Sequence, residues 1–285
     1  MRSQPCQPSG ARPSPSPSAE AASASRNAKS ETRRRLARCD AMQVSVQGAG
    51  MPLQQTLAKL DWPALAQELD ASGSVVTPPI LSADQCAELV SIYDNDALFR
   101  SRVVMARHGF GKGEYKYFAY PLPRLITSLR TSLYERLAPI ANTWEVMLGR
   151  EPRFPATHED FLATCHAAGQ ARPTPLLLRY GSGDYNCLHQ DLYGEHVFPL
   201  QAAFLLSRPN EDFTGGEFVL TEQRPRMQSR AEVAPLQQGQ AIIFAVNERP
   251  VRGTKGVYRV KMRHGVSRIR SGARHTLGVI FHDAA

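Results

Sequence analysis

Fourteen residues near the middle of the chain, YNCLHQDLYGEHVF (185–198), hold two histidines, an aspartate, a glutamate and a cysteine. His189 and Asp191 form an H-x-D triplet just after a segment of β character. On an extended segment residues i and i+2 point the same way, so one imidazole and one carboxylate face one point. A second imidazole on a neighbouring strand would complete two histidines and one carboxylate on one face of an iron ion, leaving three positions open. Four later histidines exist, His196, His264, His275 and His282. His264 is the choice, because it sits in the β-patterned RVKMRHGVSRI and is followed ten residues later by Arg274, in the order His264, Val266, Gly272, Arg274. The open positions suit a bidentate organic acid whose remote carboxylate needs neutralising, and a buried arginine on the adjacent strand does that with a forked pair of hydrogen bonds. Alternation along ARHTLGVIF puts Arg274, Thr276 and Gly278 on one face. Thr276 can share the carboxylate and Gly278 leaves room for the ligand. His275 faces the other way, and His282, beside Asp283, ranks low as a substitute ligand. Cys187 is expected as a small buried apolar side chain.

These residues need strands to carry them, and the chain from about Pro173 onward has that texture. TPLLLRY, FPLQAAFLLS, GGEFVLTEQ, AEVAPL, QAIIFAV, YRVKMRHGVSRI and ARHTLGVIF are short β-rich segments separated by GSGD, RPNEDFTGG, QQGQ, NERPVRG and RSG turns. Seven or eight strands at this spacing predict a barrel or two-sheet jelly roll over 171–285. Upstream, residues 46–170 read as a helical part packed on that barrel, giving an α+β fold. Two short helices are expected over 53–73 with Pro63 in a first turn, and one over 78–94 capped by Ser82. The longest, over 123–148, has Leu125, Leu129, Leu133, Leu137, Ile140 and Trp144 on one face, with Pro139 kinking or dividing it. A further helix is expected over 156–168.

The chain has 285 residues and a net charge of +8. Residues 1–40 hold eight basic and three acidic side chains, hence +5, which leaves +3 for the rest. The pI is therefore weak evidence for a nucleic-acid partner. Residues 1–45, rich in Ser, Pro, Ala and Arg, read as a disordered tail, with a transit peptide or a start at Met42 or Met51 as alternatives. Five scattered cysteines without a CxxC argue against a zinc knuckle or disulfide scaffold and for a cytoplasmic protein. Without a run of about 18 apolar residues, no membrane span is expected.

The order LLLRYGSGDYNCLHQD…PLQ…GGEF…PLQQGQAIIF…RHGVSRIRSGARHTLG resembles the 2-oxoglutarate/Fe(II)-dependent dioxygenase superfamily, on its prolyl-hydroxylase-like side. The wider pattern, from GKGEYKYFAYPLP to the terminal VIFHDA, is similar to a bacterial family labelled as an oxygenase acting on damaged DNA. The resemblance covers about residues 55–285. It implies a double-stranded β-helix barrel with Fe(II) on His189, Asp191 and His264, 2-oxoglutarate held by Arg274, and O2 as oxidant, with ascorbate sustaining activity. It also implies that Tyr180, some ten residues before the first ligand, helps hold the carboxylate, with Tyr185 as runner-up. The product would be a hydroxylated carbon or a demethylated heteroatom, with nucleic acid as one substrate class. A protein, peptide or small-molecule hydroxylase of the same chemistry and a non-catalytic cupin-like binding protein remain alternatives.

Two loops bear on the substrate. In HGFGKGEYKYFAY (108–120) the spacing is wrong for a phosphate-binding loop. The 107–118 loop is expected either as a lid, with Tyr115 or Tyr117 stacking a base and Arg107 and Lys116 meeting phosphate, or as a structural loop. Arg224, Arg226 and Arg230 lie on a long inter-strand loop and form either a solvated face or a contact for an anionic polymer.

Overall fold

The structure is a computed structural model, and it describes residues 53–285. The expectations for residues 1–45 lie outside the described residues. Five α-helices are described: α1 (Leu53–Ala58), α2 (Trp62–Ser72), α3 (Ala83–Ser91), α4 (Arg124–Met147) and α5 (His158–Ala167). Pro63 sits in the first turn of α2, and Ser82 with Gln85 forms a reciprocal capping box at α3. The long helix α4 runs unbroken through Pro139. Its Leu129, Leu133, Leu137 and Trp144 are buried as the spacing predicts, whereas Leu125 and Ile140 only flank the core.

The strands are β1 (Ser74–Val76), β2 (Phe99–Val104), β3 (Gly111–Lys112), β4 (Glu114–Phe118), β5 (Leu176–Tyr180), β6 (Tyr185–His189), β7 (Leu200–Leu205) and β8 (Phe213–Gly215). They continue with β9 (Phe218–Gln223), β10 (Arg230–Ala234), β11 (Ala241–Ala245), β12 (Glu248–Gly253), β13 (Gly256–Val266), β14 (Ile269–Gly272) and β15 (Arg274–Val279). Seven form one sheet in the order β1-β11-β7-β15-β5-β4-β2, and five more run β10-β9-β13-β6-β3 with β12 beside β13. All the pairings are antiparallel.

Strand alternation gives the larger sheet two apolar faces. Phe204, Ile243, Leu277 and Val279 join the helical residues Leu129, Leu133 and Tyr134 in one core. Ala203, Leu205, Ile242 and Phe244 point the other way and share a second core with Phe218, Leu220 and Val266 of the smaller sheet. Ala203, Phe218, Phe244 and Val266 of this second core also line a cavity.

The structure corrects several expectations. Residues 46–170 are not purely helical, because β1, β2 and β4 extend the larger sheet. Segments read as turns form the short strands β8, β12 and β14. The lid reading of 107–118 fails for its second half. EYKYF alternates as a strand, so Tyr117 is buried, and Lys116 is buried on the opposite side with Nζ bonded to Tyr93 O and Asp96. Lys116 is therefore committed inside the protein rather than free for phosphate. No described helix is long and apolar enough to cross a membrane.

Candidate metal centre and cosubstrate cavity

His189 ends β6 and His264 lies near the end of β13, and the two are direct cross-strand partners. Their ring centroids are 4.2 Å apart. Asp191, just past the end of β6, turns its carboxylate between them, with Oδ1 at 3.6 Å from His189 Nε2 and Oδ2 at 3.4 Å from His264 Nε2. One ligating atom from each of the three side chains lies within 4.8 Å of the others. The pairing depends on a bulge: three steps along β6, from Asn186 to His189, match two along β13. Both Asn186 and His189 thus face the cavity, which strict alternation would not allow. Gly265, next to His264, is needed there, because a Cβ would stand 2.7 Å from Asn186 O.

Each side chain of the triad is oriented by its surroundings. His189 Nδ1 lies 2.8 Å from the Cys187 carbonyl, an acceptor only, so Nδ1 carries a proton and Nε2 is the nitrogen turned towards Asp191. His264 is packed between the rings of Phe218 and Phe244, at centroid distances of 5.9 and 4.6 Å. Tyr193 Oη donates to Asp191 Oδ1 at 2.7 Å, and Tyr117 Oη donates to Tyr193 at 3.0 Å. Burial opposes ionisation of Asp191, but the hydrogen bond and charge of His264, with His189 and Tyr193, hold its carboxyl well below the usual carboxylate range. Burial lowers the pKa of His264, with the neighbouring His189 acting the same way and Asp191 opposing it. Gln190, between the two ligand positions, turns away and bonds Asn247 and the Met262 carbonyl.

A cavity of about 330 Å³ opens from the triad. Arg274, Thr276 and Gly278 of β15 all line it, as alternation predicts, and Tyr180 faces Arg274 across the β15–β5 pair. Arg274 Nη1 bonds Thr276 Oγ1 at 2.5 Å. Its guanidinium sits 5.7 Å from the Tyr180 ring and 5.8 Å from that of Phe213. Burial pushes Arg274 down from 12.5 to about 10. Arg274 Nε and Tyr180 Oη are buried without completing a hydrogen bond. Buried polar groups are almost always paired, so these unpaired donors fit an anion at this end of the cavity. At the other end, the N/O donor set of the triad fits a divalent transition ion.

Other predicted residues fall elsewhere. Tyr185 is exposed and does not line the cavity. His275 packs against Tyr93 on the far side of its strand. His282 is buried away from the triad, its Nδ1 accepting from Phe198 N. Cys187, expected to be buried, is exposed at the cavity mouth with Phe110 and Leu188. Arg224 and Arg230 both lean on Glu222, at 2.8 and 3.8 Å. The sequence did not single out Tyr193, Asn186 and Gln201, which also line the cavity, and the burial of Tyr117 fits the structural alternative for its segment. The i+2 spacing of Tyr193 from Asp191 was the available signal.

A family model described as "Oxygenase, catalysing oxidative methylation of damaged DNA" matches residues 113–284, more than half of the chain. An uncharacterized protein of Mycobacterium tuberculosis, found in strains H37Rv and CDC 1551, is 54% identical over 168 residues, covering 59% of this chain and 72% of that one. Among solved structures, a Pseudomonas putida prolyl-4-hydroxylase covers 79% of this chain and 99% of its own at 12% identity, with a TM-score of 0.47. A prolyl 4-hydroxylase from Phytophthora capsici covers 85% of this chain and 68% of its own at 14% identity, with a TM-score of 0.49. The chain belongs to the oxygenase family whose model matches residues 113–284.

Proposed function

We propose that the protein is an Fe(II)/2-oxoglutarate-dependent dioxygenase that hydroxylates a carbon on nucleic acid, or demethylates a heteroatom there by hydroxylating its methyl group. The observation that carries this reading is one cavity with two ends: His189, Asp191 and His264 converge at one, and Arg274 with unpaired buried donors stands at the other. We read the two facing antiparallel sheets as a double-stranded β-helix, or jelly roll. Bound iron and 2-oxoglutarate would supply the oxidation, with O2 cleaved as the cosubstrate is decarboxylated to succinate and CO2.

The chain's own residues supply geometry. His189, Asp191 and His264 would hold the ion from one side and leave the other to cosubstrate and O2. Arg274 would take the remote carboxylate of 2-oxoglutarate in a forked pair, with Thr276 and Tyr180 beside it. Phe218 and Phe244 keep the floor apolar and limit water around the reacting atoms. Insertion of oxygen into a methyl C–H bond removes rather than adds a methyl group, because a hydroxymethyl on nitrogen leaves as formaldehyde. The reaction we propose on damaged DNA is therefore a demethylation. The family description supports a DNA substrate. So do the exposed Arg107, His108 and Lys112, which flank Phe110 at the mouth. Arg226 is exposed near the paired Arg224 and Arg230 and could meet a phosphate.

The test is succinate formation from 2-oxoglutarate with Fe(II) and ascorbate, in wild type and His189→Ala. Wild-type turnover, lost together with iron content in the variant, is expected. A wild type that binds no iron and forms no succinate would favour a non-catalytic binding protein. Methylated single-stranded DNA, peptides and metabolite pools are then compared as stimulants, and stimulation by peptides alone would replace the nucleic-acid reading with a protein hydroxylase.

A further inference from the structure

We propose that Tyr193 is a positioning residue of the metal centre: its phenol holds one oxygen of Asp191 so that the other alone is presented to the ion. This rests on the metal reading above. Both carboxylate oxygens face a histidine, Oδ1 at 3.6 Å from His189 Nε2 and Oδ2 at 3.4 Å from His264 Nε2, but Oδ1 alone takes the Tyr193 hydroxyl, at 2.7 Å. An ionised carboxylate only accepts hydrogen bonds, so the single proton of Tyr193 goes to Asp191 and its oxygen accepts from Tyr117, 3.0 Å away. The direction of the relay is fixed.

An unrestrained carboxylate can rotate and chelate an ion through both oxygens. With Oδ1 bonded to Tyr193, that rotation breaks a hydrogen bond to a charged group. Asp191 then occupies one coordination position, and the position it would otherwise take stays open for cosubstrate or O2. The relay is held rigidly. The Tyr193 and Tyr117 rings meet edge to face at 6.2 Å and 89°. The Arg100 guanidinium sits 4.5 Å over the Tyr117 ring, and Arg100 Nε is bonded to the Pro173 carbonyl. The Tyr193 carbonyl accepts from the Gln170 amide. Tyr193 is thus fixed at ring, hydroxyl and backbone, which a side chain that merely fills space does not need.

The experiment is an anaerobic Co(II) titration of the full chain, read by visible absorption, on wild type, Tyr193→Phe, Tyr117→Phe and His264→Ala, with urea midpoints measured alongside. Partners behind metal ligands are worth about 10- to 100-fold in affinity. Tyr193→Phe keeps the ring and loses the donor, so its Co(II) affinity should fall about 10- to 100-fold with an altered cobalt spectrum. Tyr117→Phe should lose less, because Tyr193 still donates to Asp191. Wild-type affinity and spectrum in Tyr193→Phe, with none bound by His264→Ala, would overturn the inference while leaving the metal reading intact. A wild type that binds no Co(II) would overturn both. Should Tyr193→Phe not fold, Tyr193→Met takes its place: a loss of about 10- to 100-fold supports the positioning role and wild-type affinity overturns it.

Discussion

Replacing Arg274 with methionine should make the cosubstrate-free protein slightly more stable while destroying its response to 2-oxoglutarate. The guanidinium is about 1% exposed and its acidity is raised from the ordinary 12.5 to about 10, chiefly by burial. At about 1.4 kcal/mol per tenfold, that fall corresponds to about 3 kcal/mol spent holding the charge inside the folded chain. Methionine fills much of the same volume without charge. Against this gain, the variant loses the bond to Thr276, about 1 kcal/mol. It also loses two ring contacts, at 5.7 and 5.8 Å, of about 0.5 kcal/mol each. The balance is about 1 kcal/mol in favour of the variant, a rise of about 2–4 °C in Tm. Binding should move the other way. Removing one partner of a buried charge pair costs about 2–5 kcal/mol, so the Kd for 2-oxoglutarate should rise at least about 30-fold. Thermal unfolding with Mn(II), with and without 2-oxoglutarate, reads both effects at once. If Arg274→Met melts well below wild type, the arginine is a structural strut. If 2-oxoglutarate still raises the variant's Tm as it does in wild type, the anion end lies elsewhere.

Two further predictions concern the scaffold. The Arg130–Asp283 pair is 2.7 Å long with both side chains almost fully buried, so Asp283→Ala should cost about 3–5 kcal/mol in urea unfolding by stranding Arg130. His166→Ala, which removes a half-exposed partner of the same carboxylate, should cost under about 1 kcal/mol; equal losses would show that the pair is not what matters. His158 and His282 are each held down to about 4 by burial, with Arg130 adding to it. The unfolded chain therefore takes up their protons first as pH falls. Their contribution, complete above about pH 6.5, is lost between about 6.5 and 4, at up to about 1.4 kcal/mol per pH unit for each histidine. Urea midpoints over that range should fall less steeply in His158→Gln than in wild type, and parallel slopes would contradict the assignment.

The triad was legible because both histidines sit on strands whose apolar alternation is regular, and because Arg274 repeats the pattern at a fixed offset. Thr276 and Gly278 followed from the same alternation. The reading failed where local rules are overridden. The bulge in β6 brings Asn186 to the cavity with His189, although they lie three residues apart. Glycines around EYKYF suggested a loop, but pairing with β2 and β5 makes it a strand in the middle of the sheet's far half. Lys116 is then buried, with its Nζ bonded to Asp96 and the Tyr93 carbonyl. Glu222 stands two residues before Arg224, a spacing visible in the sequence, but its pairing with Arg230 comes only from the β9–β10 register. The three residues of β1 are too few to show alternation in sequence, and their pairing with β11 settles them.

The side chain of Gln170 ties distant stretches together. Its amide donates to the carbonyls of Tyr193, His196 and Asp283, and its Oε1 accepts from His196 N. Gly194, at φ +125°, leaves the space it occupies, since a Cβ there would stand 2.4 Å from it. The turn that follows Asp191 and the end of the chain at Asp283 are thus sewn by one stitch. Loss of the Asp283 carbonyl would leave Gln170 with two of its three acceptors, so a perturbation near residue 283 reaches the turn behind Asp191 through a single side chain.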